Sequence, residues 1–104
     1  MLDNREKYSM ELDYYGDLMT NHQVEILNEY LNEDLSMNEI AENYQISKSA
    51  VQDLIKRTLK QLDNYEKCLK MISRDEKLGI ILDEMENENN PVLDKYIKKI
   101  RKIK

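Results

Sequence analysis

Two helix-start signals, Ser36 and Ser47, stand so close together that only one short helix and a tight turn fit between them. Ser36 with Glu39 forms a capping box, in which each side chain satisfies a backbone N–H that the first helical turn leaves unpaired. Ile40, Ala41 and Tyr44 give the helix that follows a short apolar face. Ser47 caps a second helix, whose apolar positions Val51, Leu54, Ile55, Thr58 and Leu59 recur at helical spacing. Ala41 suits the crossing of the two helices, where a larger side chain would push their backbones apart. Ile46 can plug the gap at the turn. Residues 36–59 therefore read as a helix-turn-helix, an arrangement that usually presents its second helix to a nucleic-acid groove.

The rest of the chain is built from the same material. Two Gly and one Pro in 104 residues leave little to interrupt helices, and Glu, Lys, Leu, Met and Gln favour them. No alternating strand pattern occurs. The expected class is all-α: a helical bundle containing the helix-turn-helix, with a long recognition helix and C-terminal helices. The length suits a single domain. A first helix is expected over about residues 7–19, with Met10 or Leu12, Tyr14, Tyr15, Leu18 and Met19 on its core face. Gly16 in its middle costs about 1 kcal/mol relative to Ala, so a close helix crossing is the expected reason for it. Thr20 with Gln23 forms a second capping box, opening a helix through about Asn32 with Val24, Leu27, Tyr30 and Leu31 inward.

The helix after Ser47 meets no Gly or Pro before Gly79, and Leu62, Tyr65, Leu69 and Ile72 extend its stripe. A helix of about 25 residues would outrun the bundle. It would then pack on a partner, on a second copy, or on C-terminal helices folding back. Leu78, Ile81, Leu82 and Met85 mark a further short helix. Residues 86–90 read as a polar linker, and Pro91 opens a last helix through about Ile103. The expected organisation is a helix-turn-helix bundle over 1–72 and a C-terminal helical extension over 73–104.

Enzymatic constellations are missing: no glycine-rich phosphate loop, no Cys/His pair, no metal-ligand spacing. The reading is a non-enzyme with no cofactor and no metal. His22 is the single histidine, and it falls in a first helical turn. Cys68 is the single cysteine, which excludes an internal disulfide and fits a reducing compartment. It is expected to be partly buried beside Leu69 and Ile72. The chain lacks Trp and Phe, so its tyrosines are expected to supply the aromatic part of the core. No apolar run is long enough to span a membrane, and the first residues lack a signal-peptide core. The expected location is cytoplasmic.

The net charge of −5 conceals an uneven layout. Residues 1–35 hold nine acids and two bases, and residues 36–62 hold three acids and four bases. Residues 63–90 hold eight acids and four bases, and residues 91–104 one acid and six bases. The helix-turn-helix segment expected to read a groove is thus nearly neutral as a whole, although phosphate neutralisation supplies most nucleic-acid affinity. Its outward positions are Lys48, Ser49, Gln52, Lys56, Arg57 and Lys60, together with Asp53. Lys and Arg can hold phosphates and Gln can pair with an adenine edge. Asp53 repels phosphate and can pair at i+4 with Arg57 and at i+3 with Lys56. A second basic surface, Lys95, Lys98, Lys99 and Lys102, lies opposite an apolar face of Leu93, Tyr96, Ile97, Ile100 and Ile103. Such a helix either binds an acidic surface or docks by its apolar face on the long helix.

Two resemblances follow from these residues. Leu35 to Val51 is similar to the promoter-reading C-terminal module of bacterial sigma factors, sharing Glu39-Ile-Ala41 and the Ser47-Lys-x-x-Val51 helix start. A fuller resemblance, over roughly residues 10–72, is to the YlxM family of small helix-turn-helix proteins. It rests on Leu18-Met-Thr-Asn-His-Gln23, the acidic residue with Leu-Ser before Glu39-Ile-Ala41, Ser47-x-x-Ala-Val51, Asp53-x-Ile-Lys-Arg-Thr58 and Tyr65-Glu66. Gln45 departs from the Gly or Asn usual in such turns, and Gln52 from the family's aromatic residue. The resemblance implies a regulatory accessory of the signal recognition particle pathway, with the particle's RNA or its GTPase as partner. Duplex DNA is the alternative partner for the helix-turn-helix. A homodimer through the long helix is the alternative for the apolar stripe.

Overall fold

Four of the helix starts read from the sequence are the ones the chain uses. In a computed structural model that describes residues 4–103, Thr20 Oγ1 accepts the Gln23 N–H (3.2 Å) while Gln23 Oε1 accepts the Thr20 N–H (3.1 Å). Ser36 and Glu39 make the same reciprocal pair, both bonds at 3.1 Å. Ser47 Oγ accepts the Ala50 N–H (3.0 Å), and Asn90 Oδ1 the Val92 N–H (3.0 Å) just ahead of Pro91. The described residues form six α-helices and no strand: α1 (Arg5–Tyr15), α2 (Asn21–Leu31), α3 (Met37–Tyr44), α4 (Lys48–Leu69), α5 (Met71–Asn87) and α6 (Pro91–Arg101). They fall into two compact units, one through Leu69 and one from Lys70.

In the first unit α4 is the central element, and α1, α2 and α3 all pack on it. Its buried stripe is Val51, Ile55, Thr58 and Leu62, spaced by three and four residues. Leu12 and Tyr15 from α1, Ile26, Leu27 and Leu31 from α2, and Ile40 and Ala41 from α3 close over it. Each fully buried Leu or Ile contributes about 1.5–3 kcal/mol, so this stripe supplies much of the unit's stability. Thr58 fits within it because its hydroxyl donates to the Leu54 carbonyl at 2.7 Å. His22 lies edge-on to the Tyr44 ring at 5.5 Å, so it serves as packing at the α2–α3 corner.

Several details depart from the sequence reading. The first helix ends at Tyr15, and Gly16–Leu18 form a 3-10 turn. Leu18 is therefore exposed rather than part of the core, and Ile26 and Glu11 are buried instead. Gly16 does not mark a close crossing. A β-carbon there would sit at ordinary contact distance, 3.7 Å from Leu12 Cδ1 and 3.8 Å from Val24 Cγ2. Cys68 is exposed, because it lies off the buried stripe of α4.

The long helix stops at Leu69, and α5 begins well before the expected position near Leu78. Ile72 therefore belongs to α5 and does not extend the α4 stripe. The break is Lys70, which takes the left-handed conformation (φ 54°, ψ 32°). The same conformation recurs at Asp34, Gln45 and Asn89, so each junction from α2 onward holds a non-glycine residue with positive φ.

Gln45 closes the helix-turn-helix turn at φ 54°, ψ 45°. The Ile46 N–H then reaches back to the Ala41 carbonyl at 3.1 Å. A β-carbon in this conformation costs about 1–2 kcal/mol, and glycine has none. Gln45→Gly is expected to raise stability by about 1 kcal/mol after its larger unfolded-state entropy is counted. The check is a higher urea midpoint with an unchanged denaturation slope; a lower midpoint would rule out relief of backbone strain.

The seam between α1 and α4 is polar. The Tyr8 hydroxyl donates to Asp63 Oδ2 (2.9 Å), Lys7 Nζ lies 3.0 Å from Asp63 Oδ1, and the Tyr15 hydroxyl donates to Glu66. Glu11 is 1% exposed between them, and its Oε1 is buried without a donor. Arg5 ties α1 to the end of α2 by donating to the Tyr30 and Leu31 carbonyls at 2.6 and 3.0 Å.

In the second unit α5 and α6 pack on each other around Leu82 and Ile97. Two helices share a single seam, so Ile80, Ile81, Val92, Tyr96 and Ile103 stay exposed. Tyr96 and Ile103, two of the apolar residues expected to share one face of the last helix, are thus not packed away. Arg101 of α6 is held by Asp83 (3.2 Å) and Glu86 (2.8 Å).

Candidate nucleic-acid interface

All six side chains expected to face a ligand on the reading helix, Lys48, Ser49, Gln52, Lys56, Arg57 and Lys60, are exposed on α4. The local cause is the buried stripe: once Val51, Ile55 and Thr58 turn inward, these positions turn outward. Lys48 and Ser49 stand in the first turn, where Ser47 has taken one orphan N–H and others point at solvent. That end of α4 carries a partial positive charge which favours an anion.

Asp53 forms the i+4 ion pair with Arg57 at 3.0 Å, both side chains about two-thirds exposed. Exposed pairs of this kind contribute little stability, about 0.3–0.5 kcal/mol. Their effect is on the surface potential, because one of the four cations of α4's outward face is offset by a carboxylate beside it. Lys56 lies within the span of that pair along the helix, and Lys60 about one turn beyond Arg57.

The six do not form one cluster. Ser49, Gln52 and Lys56 line a cavity of about 490 Å³, with Asp53 among its walls, whereas Lys48, Arg57 and Lys60 lie outside it. The remaining walls are Tyr30 of α2, Met37 of α3, and Ile55 and Leu59 of α4. Tyr30 and Met37 escaped the sequence reading. Helical spacing assigns Tyr30 to the core, and Met37 carries no signal beyond its place in a first helical turn. The Tyr30 ring is held in place by the Arg5 guanidinium resting on it at 5.5 Å.

The second basic surface sits on α6 and its C-cap, where Lys95, Lys98, Lys99 and Lys102 are all exposed. Lys95 and Lys99 flank the Tyr96 ring at 5.9 and 5.6 Å. Arg101 is committed to its carboxylates, which raise its already high pKa. Nearby acids also act on Tyr44 at the end of α3. Its hydroxyl is pushed up to about 12 by a hydrogen bond to Glu29, with burial adding to the effect. Among the described residues no group of three or more His, Cys, Asp or Glu is placed to hold a metal ion. No described helix is long and apolar enough to cross a membrane.

Comparison with known proteins agrees with this geometry and extends it along the chain. The family model for UPF0122, helix-turn-helix proteins that are YlxM / p13 like, matches residues 2–103. A UPF0122 protein of Clostridium perfringens is 44% identical over 100 residues, covering 94% of this chain and 89% of the relative. One from Clostridium acetobutylicum is 37% identical, covering 94% of each. One from Acetivibrio thermocellus is 37% identical over 98% of this chain and 78% of its own length.

Proposed function

Because the chain belongs to the UPF0122 family of YlxM / p13 like helix-turn-helix proteins, we propose that it is a non-enzymatic, cytoplasmic accessory that binds nucleic acid through the exposed face of α4. The observation that carries this reading is the arrangement around Ser47. A capped helix presents Lys48, Ser49, Gln52, Lys56 and Lys60 outward from a bundle that holds it rigidly on three sides. Phosphate contacts from the lysines would position the ligand, and Gln52 and its neighbours would meet base edges.

We further propose that the ligand is the RNA of the signal recognition particle and that the protein regulates that pathway. The family resemblance supports this reading, and so does the ion pair that offsets one of the four outward cations of α4. A duplex-DNA reader depends on a strong positive field, and the Asp53–Arg57 pair works against one. The lysines of α6 around Tyr96 form the second surface, suited to RNA phosphates with a base stacked on the ring.

The test compares particle RNA with random duplex DNA in filter binding at about 0.15 M salt. Preferential retention of the RNA is expected. Lys60→Ala should weaken binding uniformly and lower the slope of log affinity against log salt by about 0.7–0.9. Equal, weak retention of both, with no capture of the particle's GTPase, would remove the proposal. A sequence-specific DNA regulator is the second reading, favoured by the helix-turn-helix geometry itself. It requires that Asp53→Asn strengthen duplex binding.

A further inference from the structure

The cavity beside α4 has a composition that neither a phosphate backbone nor an apolar side chain satisfies. Its volume of about 490 Å³ lies in the range of sites that enclose small ligands. Tyr30, Met37, Ile55 and Leu59 offer it an apolar, partly aromatic lining. Gln52, Asp53 and Lys56 border the same space and are exposed. An apolar side chain from a protein partner would strip water from that carboxylate and ammonium and return no hydrogen bond, which is costly. A phosphate would meet Asp53 as a like charge.

A nucleobase meets both demands, because it joins a flat apolar face to an edge of donors and acceptors. An ionised carboxylate only accepts hydrogen bonds, and its two oxygens offer about four acceptor positions. Arg57 Nε lies 3.0 Å from Oδ2, and one such contact does not use all of those positions. The complementary edge is an exocyclic amino group, and cytosine N4 is the usual partner of an acidic side chain. A base inside a duplex cannot leave its stack to enter a cavity without an unstacking cost, whereas a bulged or looped base is already free. Lys48 and Lys60, on the same helix but outside the cavity, are placed to hold the flanking phosphates.

Building on the proposal that α4 binds nucleic acid, we propose that this cavity is a nucleobase pocket. It takes one unpaired, amino-bearing base of an RNA, with the ring against Tyr30 and the amino edge on Asp53. Asp53 thereby acquires a role on a face where a phosphate reader would not keep a carboxylate: it selects the base. The ligand class that follows is an RNA helix interrupted by an unpaired cytidine.

The test uses the full chain and three fluorescently labelled RNA hairpins of one sequence: one with a single bulged cytidine, one with a bulged uridine, and one fully paired. Binding is read by anisotropy. The cytidine hairpin is expected to bind roughly tenfold more tightly than the other two, the scale of one base-edge contact. Asp53→Asn should bring the cytidine-to-uridine ratio to about one, since an amide serves either edge. Arg57→Gln, which breaks the same ion pair but spares the carboxylate, should weaken all three hairpins and keep the ratio. Both substitutions are at exposed positions, so folding is not at stake. Equal binding of all three hairpins by the unaltered protein would overturn the pocket while leaving nucleic-acid binding by α4 intact. Binding of no hairpin, and of no duplex DNA, would overturn both readings.

Discussion

Between about pH 5 and about pH 8 the unit ending at Leu69 is expected to lose about 2 kcal/mol of stability, and Glu11→Gln is expected to abolish most of that loss. The cause is the seam between α1 and α4. Burial, and then the charge of Asp63, push the Glu11 carboxyl up from 4.5 to about 7. Glu11 also hydrogen-bonds Asp63, and this requires a proton on one of the two carboxyls. Burial alone would raise Asp63, but hydrogen bonds from Lys7, Tyr8 and Glu11 outweigh it and hold Asp63 below the ordinary 3.8. The proton therefore resides on Glu11.

A carboxyl whose pKa is higher in the folded state makes the fold bind more protons than the unfolded chain. Its stabilisation is complete below about 4.5 and is lost as the pH rises through about 7. Asp63 acts in the opposite sense, and its contribution is lost only in acid. Lys7 and Tyr8, which also face the seam and are both raised, keep their charge states across this window. Urea denaturation followed by far-UV circular dichroism over a pH series measures the slope. A flat profile in the unaltered protein would show that Glu11 is ionised throughout.

Leu62→Ala is expected to cost about 3 kcal/mol, the larger of the two effects. Leu62 is fully buried on the face of α4 that the other helices of its unit cover. Truncation removes its transfer free energy and leaves a cavity that rigid helices cannot close. That is a large share of the 5–15 kcal/mol available to a small domain. Leu69→Ala, seven residues further along the same helix and 52% exposed, should change stability by less than about 0.5 kcal/mol. Urea midpoints at constant slope report both. Similar shifts for the two would mean that the stripe does not end where the structure ends it.

Much of this fold was legible because its signals are local. Thr20 with Gln23 and Ser36 with Glu39 each fix a helix start by chemistry within one turn, and both starts formed. The outward set on α4 was legible for a related reason: helical periodicity that places Val51 and Ile55 inward must place Gln52 and Lys56 outward. The misses are tertiary. Nothing in Leu69-Lys70-Met71 breaks a helix, yet Lys70 does so with a backbone conformation that carries no side-chain signature. Glu11 resembles any solvated acid until Asp63, from the far end of α4, is packed against it. The cavity needed Tyr30 and Met37, from two other helices, and no spacing along the chain could place them beside Gln52.

The left-handed residues Asp34, Gln45, Lys70 and Asn89 have one more consequence. Each stands at a joint, away from the buried stripe, and none is glycine. Every joint is therefore a site where a single substitution can change thermal tolerance without repacking a core or redrawing the α4 surface. A lineage moving to a hotter habitat could adjust its melting point one hinge at a time, leaving what the protein recognises untouched.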